Sequence, residues 1–402
     1  MTREENSGKI ESGKECNFLA MNENKVLFSA AASEQAKAAS RVRTSQYLYR
    51  RSDLRGKLLF TCADNEGDSC DLAFSAEKNG DGYTLGIHIA DVCEYVCENS
   101  PLEKEARSRS GLSKELYPPI IKDDVCDLKV GKDRLAISVF FDMTKDGDVR
   151  RMNIEESVVR IAACCIFHEM DEYVLAGDSS SVMALRAKYG HILTSFGHLY
   201  DVAAAILAKR IERGGAMLTT EEYRCTFDDE GKMVSSVKRI EPDCKTMVRE
   251  LNIFTCMNVG EYMYSHKFPM LCCGYKINED NYHQGFDTVD APILATESEH
   301  FKVEYLSVPL PANTYSAEPI ENDRSKTDKV LKFTRPLYKY SDLISMRMLK
   351  NALSAGLDTK NINLQKQSKE AKMLAEDVTK ADYESYCCAE AAIAEAKSVM
   401  LR

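Results

Sequence analysis

The stretch Thr61-Cys62-Ala63-Asp64-Asn65-Glu66-Gly67-Asp68-Ser69-Cys70-Asp71-Leu72-Ala73, followed by Gly86-Ile87-His88-Ile89-Ala90-Asp91-Val92, decides the fold. An acidic loop separates apolar runs at residues 58–60, 72–76 and 83–89, whose short lengths and bounding turn residues predict β-strands. Asn79-Gly80-Asp81-Gly82 joins the last two runs and is typical of a hairpin turn. The chain therefore begins its core with an antiparallel sheet.

Outward from this stretch, strands and helices alternate. Residues 135–141 predict another strand, and residues 223–227 and 234–240 a further hairpin. Apolar spacing predicts helices over residues 199–213, 246–266, 365–379 and 381–401. Residues 275–300 have the least regular pattern. The chain is therefore predicted to be α/β in the mixed (α+β) sense.

Two further segments make the pattern specific. They are Asp133-Arg134-Leu135-Ala136-Ile137-Ser138-Val139 and Phe333-Thr334-Arg335-Pro336-Leu337-Tyr338-Lys339-Tyr340-Ser341-Asp342-Leu343. Together with the opening stretch they resemble the RNB catalytic-domain family, the ribonuclease II and ribonuclease R exoribonucleases that degrade RNA 3′→5′. The resemblance covers most of residues 50 to 400. It implies a single large domain with a mixed β core surrounded by helices.

The resemblance also sets the expected domain organisation. A polar N-terminal extension is expected over residues 1–45, and an RNB-like domain over residues 46–402 that includes C-terminal helices at 362–402. Enzymes of this family usually add cold-shock barrels before the domain and an S1 barrel after it. Because only about 45 residues precede the match, no flanking cold-shock or S1 barrel is expected.

The family's four metal-site aspartates fall on Ala63, Ser69, Asp71 and Leu72, so one carboxylate of the set is retained. Magnesium needs oxygen ligands, in such sites mostly carboxylates, to activate water for phosphodiester hydrolysis. The arginine that contacts the scissile phosphate in the family is replaced by Tyr338. The resemblance thus implies a degenerate catalytic centre in which Asp71 is the single catalytic and metal-binding candidate, and a weak one.

RNA contacts are implied at a second group of positions. The basic side chains would meet phosphates and the aromatic ones would stack on bases; the candidates are Arg335, Lys339, Tyr315, Tyr340 and Arg347. Core packing is the competing interpretation for the two tyrosines. A formal charge of −10 and a pI of about 5.4 oppose nonspecific RNA binding, although a local basic channel is compatible with an acidic chain.

Several residues have plainer interpretations. His88 is expected to be a hydrogen-bonded core histidine rather than a metal ligand, and Asp71 a turn or capping residue. Fifteen cysteines without a C-x-x-C motif indicate reduced thiols. No apolar run approaches the roughly 20 residues of a membrane span, and the polar N-terminus has no signal-peptide core. A cytoplasmic protein is expected, with no membrane partner.

These observations favour a catalytically degenerate RNB-fold protein, a pseudo-exoribonuclease, over an enzyme. Such a protein would bind single-stranded RNA or serve as a protein-interaction subunit of an RNA-related assembly, with no cofactor. The alternative is a divergent but active 3′→5′ exoribonuclease that uses Mg²⁺ or Mn²⁺ at Asp71.

Overall fold

A computed structural model provides the fold. It describes residues 27–110, 115–175, 180–215, 221–228, 230–240, 242–276, 302–307, 312–356, 359–361 and 363–401. The helices are α1 (Ala30–Ser40), α2 (Pro101–Arg109), α3 (Phe167–Leu175), α4 (Ser180–Tyr189), α5 (Leu193–Glu212), α6 (Asp243–Ser265), α7 (Tyr340–Ser354) and α8 (Leu364–Met400). A π-helical turn spans Ile120–Cys126, and short 3₁₀ turns span Thr44–Tyr47, Val92–Glu94 and Thr359–Asn361.

The strands form three sheets. They are β1 (Ser52–Asp53), β2 (Phe60–Ala63), β3 (Leu72–Asn79), β4 (Gly82–Ala90), β5 (Asp133–Thr144), β6 (Val149–Arg160), β7 (Ala163–Ile166), β8 (Glu221–Phe227), β9 (Met233–Ile240), β10 (Cys272–Gly274), β11 (Lys302–Ser307) and β12 (Thr314–Ser316). The main sheet has seven strands in the order β1-β6-β5-β4-β3-β2-β7. Its two edge strands pair in parallel and the others antiparallel.

The predicted hairpin of β3 and β4 lies at the centre of this sheet. Phe74 pairs with Ile87 and Leu72 with Ile89, and these side chains are buried. The turn ends at Gly82, where an added Cβ would lie 1.9 Å from the carbonyl oxygen of Met143. Glycine is required there because the strands β4 and β5 approach too closely for a side chain.

Helices α5 and α6 cover the sheet and are joined to each other by a buried ion pair. The Arg210 guanidinium donates to both carboxylate oxygens of Glu250, at 2.6 and 2.7 Å. The Asp171 carboxylate accepts hydrogen bonds from the free N–H groups of Asp243 and Cys244 at the start of α6. The first N–H groups of a helix have no partner within the helix, and an aspartate carboxylate is a suitable acceptor for them.

The C-terminal segment differs from the prediction of two helices. Residues 364–400 form the single continuous helix α8, because Thr379-Lys380-Ala381 contains no glycine or proline to interrupt it. Its last turns pack Ile393 and Ala396 against the small sheet β11-β8-β9, in a hydrophobic cluster separate from the main core.

Two further predictions concerned the irregular stretch at residues 275–300 and membrane-spanning segments. Most of the irregular stretch 275–300 lies outside the described residues. Among the described helices, none is long and apolar enough to cross a bilayer.

Candidate functional site

The acidic loop between β2 and β3 is held by the π-helical turn. The Ser69 hydroxyl donates to the Asp123 carboxylate at 2.7 Å. The N–H of Cys70 donates to Asp127 at 2.8 Å. Helical turns with π hydrogen bonding often lie at functional sites, and here the turn closes over the position where the resemblance places a metal-binding aspartate.

Asp71 lies at the bottom of this region, 5% exposed. Its Oδ2 atom has no hydrogen-bond partner. Burial raises the pKa of Asp71 to about 7, despite the opposing effects of the Arg335 charge and the N–H group of Leu337. Burial disfavours the charged form of a carboxylate, and the negative charge of nearby Asp342 acts in the same direction.

Tyr338 closes the region from the other side. Its hydroxyl donates to the main-chain oxygen of Ser69 at 2.5 Å. The Arg335 guanidinium lies 5.1 Å and the Lys122 ammonium 5.8 Å from the ring centre. Tyr338 therefore links the two segments that carry the chemistry in the family, through a neutral contact where the family has an arginine.

The remaining degenerate positions contribute no polar side-chain atom. Ala63 and Leu72 are both buried. Next to Ala63, the Asp64 carboxylate is bound at 3.0 Å by the Lys245 ammonium, which also donates to the buried Glu222 at 2.7 Å. A protein ammonium thus already neutralises the acidic side chain nearest this position.

This arrangement does not fit Mg²⁺ or Mn²⁺, which need several oxygen ligands around one point. Within the described part of the chain, metal-compatible side chains come together in a group of three only at Asp91, Glu94 and Glu156. The Lys350 ammonium lies 2.5, 2.9 and 3.1 Å from these three carboxylates, and Arg51 donates to all of them. That group is an internal ion-pair network, and the described residues around Asp71 contain no comparable set.

The two tyrosines predicted to contact RNA lie in the core. The Tyr315 hydroxyl donates to Ser341 at 3.1 Å, and the Tyr340 hydroxyl donates to Glu103. Both rings are 4% exposed. Their role in RNA stacking stays a prediction, and this conformation presents neither ring to a ligand.

The basic side chains predicted to contact RNA differ in how accessible they are to a ligand. The Lys339 ammonium donates to Ser385 at 3.0 Å and lies 3.5 Å from Asp382. Burial lowers the pKa of Lys339, although Asp382 opposes this effect. Arg347 donates to the main-chain oxygen of Val96 at 3.4 Å. Arg335 is the exposed member of the set.

His88 has the structural role expected of it. It is fully buried, its Nδ1 lies 2.8 Å from the Ser138 hydroxyl, and its Nε2 lies 3.3 Å from the Ser75 hydroxyl. Burial lowers the pKa of His88 to about 3. The ring is therefore neutral at physiological pH.

Asp123 and Lys245 complete the site but were not identified from the sequence. No motif marks either residue, because each reaches the loop from a segment remote in the chain. A third contact involves Asn252, which stands where the family has a glutamate and accepts a hydrogen bond from the Thr334 hydroxyl. The signal in the sequence was the acidic composition of the loop between β2 and β3, whose polar side chains need hydrogen-bonding partners.

Comparisons with known proteins place the fold. Residues 51–355 match the family model described as RNB domain. Ribonuclease R of Thermotoga maritima is 28% identical over 334 residues, which are 75% of this chain and 46% of the relative. Arabidopsis thaliana has a relative described as inactive exonuclease DIS3L2, 26% identical over 53% of this chain and 21% of its own length. The chain spans about half the length of the first curated relatives it matches.

Two solved structures share the fold. Mycoplasma genitalium RNase R in complex with ribose-methylated single-stranded RNA superposes with a TM-score of 0.74, at 16% identity over 95% of this chain and 63% of that one. Yeast Ssd1, described as a pseudonuclease, superposes with a TM-score of 0.56, at 15% identity over 86% of this chain and 45% of that one.

Proposed function

This chain belongs to the RNB domain family, and from that membership we propose that it is a pseudo-exoribonuclease that acts by binding rather than by hydrolysis. The observation that carries the proposal is the environment of Asp71. Its carboxylate is buried, lacks a partner on Oδ2 and has a pKa near 7. Hydrolysis by a metal-activated water requires a charged ligand set, which Ala63, Leu72 and Ser69 do not supply.

The binding role that we favour is that of a protein-interaction subunit in an RNA-related assembly. A net charge of −10 repels the RNA backbone. Lys339 and Arg347 are engaged in internal contacts, and Tyr315 and Tyr340 are buried. Single-stranded RNA bound in the manner of an enzyme would find few free contacts in this conformation.

The test of inactivity uses a 5′-labelled single-stranded RNA incubated with Mg²⁺ or Mn²⁺. The unmodified protein is compared with a version that carries Ala63→Asp, Ser69→Asp, Leu72→Asp and Tyr338→Arg, with folding verified by circular dichroism. We expect the unmodified protein to leave the RNA intact. Shortening from the 3′ end in the restored version would show that the missing side chains account for the inactivity.

A different result would overturn the proposal. If the unmodified protein shortens the RNA and Asp71→Asn abolishes this activity, the protein is a divergent exoribonuclease. The retention of Asp71 and the carboxylate of Asp123 beside Ser69 are the observations that favour this second candidate.

RNA binding is measured separately, by fluorescence anisotropy at increasing salt concentration. A protein-interaction subunit shows weak or no binding, and co-purifies with a partner. Binding that is tight, falls steeply with salt and is weakened by Arg335→Glu would instead assign the RNA-binding role. Arg150→Glu, the same charge reversal at an exposed position that pairs with Asp81 in the β3–β4 turn, serves as the control.

A further inference from the structure

Two pairs of cysteines lie at the end of the sheet next to the site. In the parallel ladder of β2 and β7, Thr61 pairs with Cys164 and Cys62 with Cys165. Successive residues of a strand face opposite sides of a sheet. Cys164 therefore shares one face with Thr61, and Cys165 shares the other with Cys62.

Each thiol has a different partner. On one face Cys62 and Cys165 are direct neighbours across the ladder, and their thiols influence each other. On the other face the Cys70 thiol donates to the main-chain oxygen of Cys62 at 3.8 Å, at the end of β2. The thiols of Cys70 and Cys164 influence each other there, and both are near the Thr61 hydroxyl. Thiols in contact need only a small movement to reach the sulfur–sulfur bond length of about 2.05 Å.

We propose that Cys70 and Cys164 form a hydroperoxide-sensitive thiol pair, in which Cys164 is the modified residue and Cys70 the resolving one. Cys164 is half-buried and so reachable, whereas Cys70 is buried. A reactive thiol that is accessible and lies beside a second thiol is the arrangement of redox-sensing cysteines. Disulfides of this kind in reducing compartments are transient.

The chemistry balances with a hydroperoxide as the oxidant. The Cys164 thiolate attacks the outer oxygen, the O–O bond breaks, and the alkoxide or hydroxide that leaves takes up a proton. The sulfenic acid on Cys164 is then attacked by the Cys70 sulfur, which forms the S–S bond and releases water. The hydroperoxide gains the two electrons that the thiol pair loses.

The local environment separates the two pairs. Hydrogen bonding from Cys70 and the Thr61 hydroxyl lowers the pKa of Cys164 to about 7. By contrast, Cys165 is completely buried, and hydrogen bonding to Cys165 together with burial raises the pKa of Cys62. The thiolate is the reactive form, so the Cys62–Cys165 pair, whose members are neighbours across the same ladder, is an internal comparison.

A disulfide at this position would have a structural consequence. Cys70 directly follows Ser69 and precedes Asp71, so the bond would fasten the end of the acidic loop to β7. The proposal does not depend on whether the protein binds RNA.

Peptide mapping of the full-length protein tests the proposal. Reduced protein is treated with hydrogen peroxide, free thiols are blocked with N-ethylmaleimide, and the chain is cleaved on the N-terminal side of aspartate. Cleavage before Asp64 separates Cys62 from Cys70. We expect the peptide that contains Cys164 and Cys165 to be linked to the Cys70 peptide about tenfold more often than to the Cys62 peptide, and the link to disappear with a dithiol reductant.

Two variants identify the residues. Cys62→Ala combined with Cys165→Ala should retain the link, whereas Cys70→Ala should lose it and leave a sulfenic acid on Cys164 that dimedone labels. The proposal is overturned if the exposed Cys97 is oxidised while residues 70 and 164 stay reduced. It is also overturned if the wild-type link joins Cys62 instead, a measurement that needs no variant to fold.

Discussion

Asp71 shows how the loss of neighbouring charges changes a side chain that is itself retained. In a metal site the carboxylate would be held in its charged form by a cation. Here burial raises its pKa to about 7, with Asp342 acting in the same direction and Arg335 against it. With Ala63, Ser69 and Leu72 at the neighbouring family positions, Asp71 lacks the other carboxylates that would share a cation with it.

This pKa has a consequence for stability. The ordinary pKa of an aspartate is 3.8, so between about pH 4 and pH 7 folded Asp71 keeps a proton that the unfolded chain has released. Its contribution is therefore most favourable below about pH 4 and is lost as the pH rises to about 7. Asp71→Asn has no such titration. Between about pH 4 and pH 7 we therefore expect its free energy of unfolding, relative to that of the wild type, to rise by about 2–4 kcal/mol.

Urea denaturation at a series of pH values measures this difference. Asp146→Asn, at an exposed turn, is the control and should follow the wild type. His88 has a lowered pKa and affects stability in acid, but it is present in all three proteins and cancels in the comparison. A constant difference between Asp71→Asn and wild type would contradict the assigned pKa.

The packing of α6 depends on a position without a side chain. At Gly260 the helix passes so close to the segment after residue 328 that an added Cβ would lie 2.0 Å from the Lys329 carbonyl oxygen and 2.7 Å from the Leu331 nitrogen. Both are main-chain atoms, which cannot move aside as a flexible side chain would. This contact aligns α6 with the segment that leads into the Phe333–Leu343 motif.

Two glycine substitutions separate this contact from helix propensity. Gly260→Ala should destabilise the protein by about 2–3 kcal/mol because of the clash. Gly197→Ala in α5, where a Cβ meets nothing within 4 Å, should stabilise it by about 0.5–1 kcal/mol. Thermal or chemical denaturation of both variants provides the measurement. If both variants are stabilised, α6 does not approach the main chain of residues 329–331 as closely as the structure indicates.

The described residues form two hydrophobic clusters of very different size. The main core spans the seven-stranded sheet and its helices. The second consists of a few side chains between the small sheet and the end of α8, namely Tyr223, Cys225, Phe227, Met233, Ile393 and Ala396. A unit that buries so little apolar surface should open more readily than the main core.

Hydrogen exchange tests this difference. Amides of β8 and β9 should exchange faster than those of β4 and β5, and Ile393→Ala should accelerate β8 and β9 alone. Met373→Ala, at a largely exposed position of the same helix, is the matched control and should change neither region. Uniform acceleration throughout the chain would show that the two clusters unfold together.

The local sequence was sufficient for much of the architecture. Alternation of apolar residues and the turn Asn79-Gly80-Asp81-Gly82 predicted β3 and β4, because a strand's faces and a tight turn depend on neighbouring residues. Apolar spacing likewise predicted α5 and α6, with starts that were a few residues late. The predicted division of α8 into two helices was wrong, because the residues between them include no glycine or proline that would end a helix.

The identity of the degenerate positions also followed from the sequence alone, since a motif aligns Ala63, Ser69 and Leu72 without coordinates. The contacts around these positions could not be predicted from the sequence. The contacts of Ser69 with Asp123 and of Asp64 with Lys245 join residues 54 and 181 positions apart, and the raised pKa of Asp71 depends on burial by several segments. Motifs record which side chains are present, whereas charge state and reactivity depend on the neighbours that folding brings together.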